Sequence, residues 1–76
     1  MGRQITDDEI QFNKALGLVI RVARIKLGVS QKILGEVVGV SLQQIQKYEA
    51  GEDGVSVARF NKMATYLEIP FRIFEK

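Results

Sequence analysis

A chain of 76 residues carrying eleven basic and nine acidic side chains, net charge +2, has room for one small domain and excludes a two-domain enzyme. The absence of cysteine excludes disulfides, thiolate metal sites and a thiol nucleophile, and the absence of histidine removes the usual general base and the commonest metal ligand. With 46% apolar and 26% charged residues the composition is neither that of a disordered tail nor of a disulfide-stapled secreted module, so the chain must fold on its own apolar core.

Thr6-Asp7-Asp8-Glu9 has the pattern of a capping box and predicts the start of a first helix. Its apolar positions Ile10, Leu16, Ile20, Ala23 and Leu27 recur mostly at three- and four-residue steps, and Gly28 is placed to end it in the left-handed conformation. Gly17 within this stretch costs about 1 kcal/mol relative to alanine. The expectation is therefore that the segment before it is frayed or separately oriented. Ser30 caps a second helix, Gln31 to Val38; Gly39 interrupts it, and Ser41 caps a third, Leu42 to Ala50. Gly51 closes the third helix and Glu52-Asp53-Gly54 reads as a surface loop. Ser56 caps a fourth, with Val57, Phe60, Met63, Ala64 and Leu67 on its core side. Glu68-Ile69-Pro70 stops it. Pro70 suits the first turn of a fifth, terminal helix, in which Phe71, Ile73 and Phe74 are the last apolar residues available for burial. Residues 1–13 read as an N-terminal extension with the start of the first helix, and residues 14–74 as the domain proper.

Two helices of about eight residues joined through a glycine make the geometry of a helix-turn-helix. Counting from Gln31, the close helix crossing needs a small residue at the fifth position, occupied by Gly35, and the turn needs positive φ at the ninth, occupied by Gly39. The gap between the helices needs apolar side chains where Leu34, Val38, Val40, Ile45 and Tyr48 stand. Every one of these demands is met. The third helix then has Ser41, Leu42, Gln43, Gln44, Gln46 and Lys47 left for a surface. Glutamine pairs bidentately with adenine, lysine donates to guanine, and a leucine side chain suits a thymine methyl. Gln31, at the N-terminus of the second helix, sits where free amides and the positive end of the helix dipole favour a phosphate.

The segment from Ile20-Arg21-Val22-Ala23-Arg24 through Gly28-Val29-Ser30-Gln31, then Leu34, Gly39-Val40-Ser41, Ile45, Tyr48-Glu49 and Gly51, resembles the lambda-repressor and Cro-like helix-turn-helix family. The likeness continues to Leu67, Ile69-Pro70 and Phe74. It implies an all-α, compact five-helix bundle that binds operator DNA, usually as a two-fold dimer, with the helix-turn-helix at about 31–50. By the same resemblance Ser41, Leu42, Gln43 and Lys47 match base-reading positions, and Gln44 lies nearer the backbone. Gln31 matches a glutamine that contacts phosphate and often touches the recognition helix. Arg24 and Glu49 match a structural ion pair. Ser30 is first a cap, and Arg21, Lys26 and Lys32 are the nearest basic candidates for phosphates. Glu52-Asp53 departs from the pattern, because many relatives carry basic or amide residues there, and no contact is assigned to Gly51–Gly54.

The basic residues cluster: Lys14, Arg21, Arg24, Lys26 and Lys32 occur with no acid among them, while residues 1–13 sum to −2. One end of the fold is expected to be basic and to face double-stranded DNA. No apolar run reaches the roughly 20 residues of a membrane span, and the N-terminus lacks a signal peptide's apolar centre, so the expected location is the cytoplasm. No enzyme activity, cofactor, metal or small-molecule ligand is expected, since Ser30, Ser41 and Ser56 are better explained as caps than as nucleophiles. A homodimer is expected, through Phe71, Ile73 and Phe74 or through residues flanking the fourth helix. The alternative is an antitoxin-like interaction module that regulates its own promoter; the end of the chain at Glu75-Lys76, directly after the last expected helix, disfavours it.

Overall fold

Every helix among the described residues begins on a hydroxyl side chain. In the computed structural model, which describes residues 6–70, four helices run in the order α1 (Asp7–Lys26), α2 (Gln31–Val38), α3 (Leu42–Ala50) and α4 (Val57–Leu67). The hydroxyl oxygens of Thr6, Ser30, Ser41 and Ser56 accept from the backbone N–H of Glu9, Ile33, Gln44 and Arg59 at 3.0–3.2 Å. Each bond satisfies a donor that the helix itself cannot pair.

The four helices also end alike. After each, a backbone N–H reaches a carbonyl five residues back: Val29 to Arg24, Val40 to Gly35, Glu52 to Lys47 and Ile69 to Ala64, at 2.9–3.0 Å. This closure needs a left-handed residue just before the donor. Glycine supplies it at positions 28, 39 and 51, and Glu68 supplies it after α4 with φ 60°. The chain thereby reverses direction within a few residues of each helix end.

The centre of the core takes one side chain from each helix, Ile20, Leu34, Ile45 and Met63, all fully buried. Around them lie Leu16, Val38, Tyr48, Phe60, Ala64, Leu67 and Ile69, with Val19, Ala23, Val29, Val37, Val40 and Val55 packed at the margin. Burial of one large apolar side chain contributes about 1.5–3 kcal/mol, so these few residues carry most of the fold's stability.

Several expectations require correction. Four helices are present among the described residues; the fifth expected after Pro70, with Phe71, Ile73 and Phe74, lies outside them. α1 runs unbroken through Gly17 rather than fraying before it. Val57 is 87% exposed and Leu27 43% exposed. Val57 is the first residue of α4 and Leu27 the cap after α1. At both places the chain is leaving or joining the bundle, and the helical period no longer points a side chain at the core. Among the described residues no helix is long and apolar enough to cross a membrane.

Candidate nucleic-acid interface

The surface of α3 follows from how closely its neighbours approach it. α2 crosses beneath the turn at Gly35, where a Cβ would lie 2.7 Å from the Val40 carbonyl oxygen. α1 crosses the C-terminal turn of α3 at Gly17, where a Cβ would lie 2.3 Å from the Tyr48 oxygen and 2.6 Å from that of Glu49. Real Cβ atoms do not approach carbonyl oxygens so closely, and both obstacles are backbone. A glycine in α1 that looks like a weakness for helix formation is therefore the contact that seats α3. Three residues before it, Lys14 lies against Gly51, so α1 and the end of α3 touch along about one helical turn.

With Ile45 and Tyr48 buried, a period of 3.6 residues puts Gln43, Gln46, Lys47 and Ala50 on the opposite face, and all four are exposed. Leu42, 38% exposed, lies on one flank of this face and the half-buried Gln44 on the other. Ser41 is exposed at the N-terminus, its hydroxyl already accepting the Gln44 amide. Of the side chains expected to read bases, Gln43 and Lys47 thus share one outward strip with Gln46.

Behind the strip lies a polar junction. Arg24 Nε and Nη2 donate to Glu49 Oε2 and Oε1 at 2.6 and 3.1 Å, and Arg24 Nη1 donates to the Val29 carbonyl at 2.9 Å. The two charged side chains are only 12% and 5% exposed. Gln31 Nε2 donates to the same Glu49 Oε1 at 3.1 Å, while Gln31 Oε1 faces Gln46 Nε2 at 3.5 Å. One carboxylate therefore links α1, α2 and α3, and the Gln31 side chain is turned towards α3. Charge-assisted bonds of this kind are roughly twice as strong as neutral ones. Ser30 is exposed and its hydroxyl caps α2, while Arg21 and Lys32 are exposed on α1 and α2.

Three features were not anticipated from sequence. Arg59 Nη1 donates to the buried Tyr48 hydroxyl at 3.1 Å, tying α4 to α3. Gln44 Nε2 donates to Asp53 Oδ2 at 2.9 Å, so the acidic turn folds back on the first turn of α3. Gln46, expected on the exposed face, also reaches the junction through Gln31. Gln46 carried a signal in its helical register; the other two depend on how distant segments pack. Among the described residues no group of three or more carboxylates gathers to hold a metal ion.

This arrangement, a short helix crossing a second through a glycine turn with a polar outer strip, is that of a helix-turn-helix unit. The helix-turn-helix family profile matches residues 20–74, and the chain belongs to that family, in its lambda-repressor-like form. An uncharacterised HTH-type transcriptional regulator of Sinorhizobium medicae is 42% identical over 59 residues, 78% of this chain and 42% of that protein. An uncharacterised transcriptional regulator in the ATPase CF(0) region of Rhodospirillum rubrum is 39% identical over 59 residues, covering 78% of this chain and 55% of that one. The crystal structure of the restriction-modification controller protein C.AhdI from Aeromonas hydrophila superimposes with a TM-score of 0.75 at 28% identity, covering 83% of this chain and 91% of that chain. The chain spans about half the length of these two curated relatives.

Proposed function

We propose that the chain is a sequence-specific DNA-binding transcriptional regulator that lays α3 in the major groove, as a dimer on a palindromic operator. The observation that carries this reading is the outward strip of α3, in which Gln43, Gln46 and Lys47 are exposed together on a helix whose opposite side is locked into the core. A helix about 10–12 Å across fits a groove about 12 Å wide. Gln43 and Lys47 offer the donors and acceptors that distinguish adenine and guanine, Leu42 offers apolar contact to a thymine methyl, and Ser41 completes the leading end. Family membership and the relatives' names as regulators support the same reading.

Backbone contacts fall to the N-terminus of α2, whose first amides and dipole suit a phosphate, with Gln31 and Ser30 at that end and Lys32 and Arg21 adding charge. Arg24 and Glu49 serve the scaffold rather than the duplex. Two half-sites about 34 Å apart would match a two-fold dimer. Regulation then acts by occlusion or recruitment, in the cytoplasm.

Selection of bound sequences from a random duplex pool tests the proposal. Enrichment of a palindromic motif, with affinity falling steeply as salt rises, is the expected result. Failure to enrich any motif, with no retention of duplex at low salt, refutes it. Sedimentation at micromolar concentration separately tests the dimer, and a pure monomer both free and on DNA removes that part.

A further inference from the structure

The acidic turn after α3 is bound to the helix it follows. Asp53 Oδ2 accepts from Gln44 Nε2 at 2.9 Å, nine residues back along the chain. α1 holds the turn from behind: a Cβ at Gly51 would lie 2.7 Å from Lys14 Cα, and one at Gly54 would lie 3.4 Å from Asn13 Oδ1. Gln44 occupies a flank of the first turn of α3, and a helix about 10–12 Å across nearly fills a groove about 12 Å wide. Its flanks therefore face the walls, where the phosphates run. A glutamine there is placed to donate to phosphate, but in this fold one of its two N–H bonds donates to the Asp53 carboxylate, which turns the amide towards the acidic turn. That carboxylate, with Glu52 beside it, also repels phosphates within a Debye length of about 8 Å.

We propose that Asp53 is a specificity-determining positioning residue: it holds Gln44 away from the DNA backbone and weakens backbone attraction on that side, leaving discrimination to Gln43 and Lys47. The inference rests on the DNA-binding role proposed above. Its consequence is a wide gap between binding to the operator and binding to unrelated duplex, because sequence-independent attraction is held down.

The variants Asp53→Asn, Asp53→Ala, Gln44→Ala and the double variant Asp53→Ala/Gln44→Ala, titrated with a selected operator and with a random duplex between 50 and 200 mM salt, test it. Asparagine keeps an oxygen for Gln44 and removes the charge; alanine removes both. Both single Asp53 variants are expected to bind random duplex more tightly, with a salt slope steeper by up to about one unit, equivalent to about a fourfold change across that salt range. Asp53→Ala should gain a further severalfold over Asp53→Asn, and that extra gain should vanish in the double variant, while Gln44→Ala alone binds as the wild type does. Without DNA, the Gln44 side-chain amide resonance should move in Asp53→Ala and stay near its wild-type position in Asp53→Asn. Equal binding by the two Asp53 variants, or weakened binding by Gln44→Ala alone, overturns the positioning role. An unmoved Gln44 resonance in Asp53→Ala overturns it independently of DNA, whereas a wild-type chain that binds no duplex refutes the DNA-binding role itself.

Discussion

Gly17→Ala tests whether the seating of α3 depends on the bare backbone of α1. Two effects oppose each other. In an isolated helix alanine is favoured over glycine by about 1 kcal/mol, so propensity alone predicts a more stable protein. Here the new methyl would lie 2.3 Å from the Tyr48 oxygen, 2.6 Å from the Glu49 oxygen and 2.9 Å from the Glu49 carbonyl carbon. A relaxed carbon–oxygen approach is about 3.3 Å, so the helices must part by about 1 Å. Both groups are backbone of one helix turn, and no side-chain rotamer relieves the collision. Overpacking of this kind costs about 1–3 kcal/mol, and the upper end applies because the displacement also strains the Arg24–Glu49 bonds. Subtracting the propensity gain leaves a loss of about 2 kcal/mol, a fall in Tm of about 8–16 °C for a domain of this size. Thermal unfolding followed by far-ultraviolet circular dichroism measures it. A Tm equal to or above that of the wild type would show that α1 and α3 can separate freely, and the account of the interface would fail.

The remaining predictions concern the junction, the turn and the outward strip. Glu49→Ala strands Arg24 in a site where only 12% of its side chain is exposed, and should cost about 3 kcal/mol in urea denaturation. Tyr48→Phe removes the acceptor of the Arg59 bond and should cost about 1 kcal/mol in the same assay. Gly39→Ala, at φ 76° with nothing within 4 Å of the added methyl, should cost about 1–2 kcal/mol through backbone conformation alone, and Gly39→Asn visibly less in thermal unfolding. Lys47→Ala should relax preference at one base pair by about 1–3 kcal/mol in competition binding, while leaving Tm close to that of the wild type.

What could be read from the chain was what local chemistry decides. Ser30, Ser41 and Ser56 mark helix starts because a hydroxyl three residues before a free N–H is a local arrangement, and the bounds of α2 and α3 follow from them and from Gly39 and Gly51. Gly35 was legible because its neighbour across the crossing, Val40, is only five residues away. Gly17 was not, because its reason lies more than thirty residues further on, in carbonyls of α3. Propensity saw its cost and missed its use. The Gln44–Asp53 and Arg59–Tyr48 bonds were hidden for the same reason: each joins side chains whose meeting depends on how the turn after α3 and the start of α4 lie on the core. Val57 misled because the apolar period of α4 continues into its first residue, ahead of the point where the helix meets its neighbours.

The carboxylate of Glu49, held by three bonds from Arg24 and Gln31, leaves α3 no hinge of its own. A rigid reader passes accommodation to what it reads. If the proposed dimer binds two half-sites, steps of the double helix between them that bend or narrow easily should strengthen binding although no side chain reaches them, and stiff steps there should weaken it.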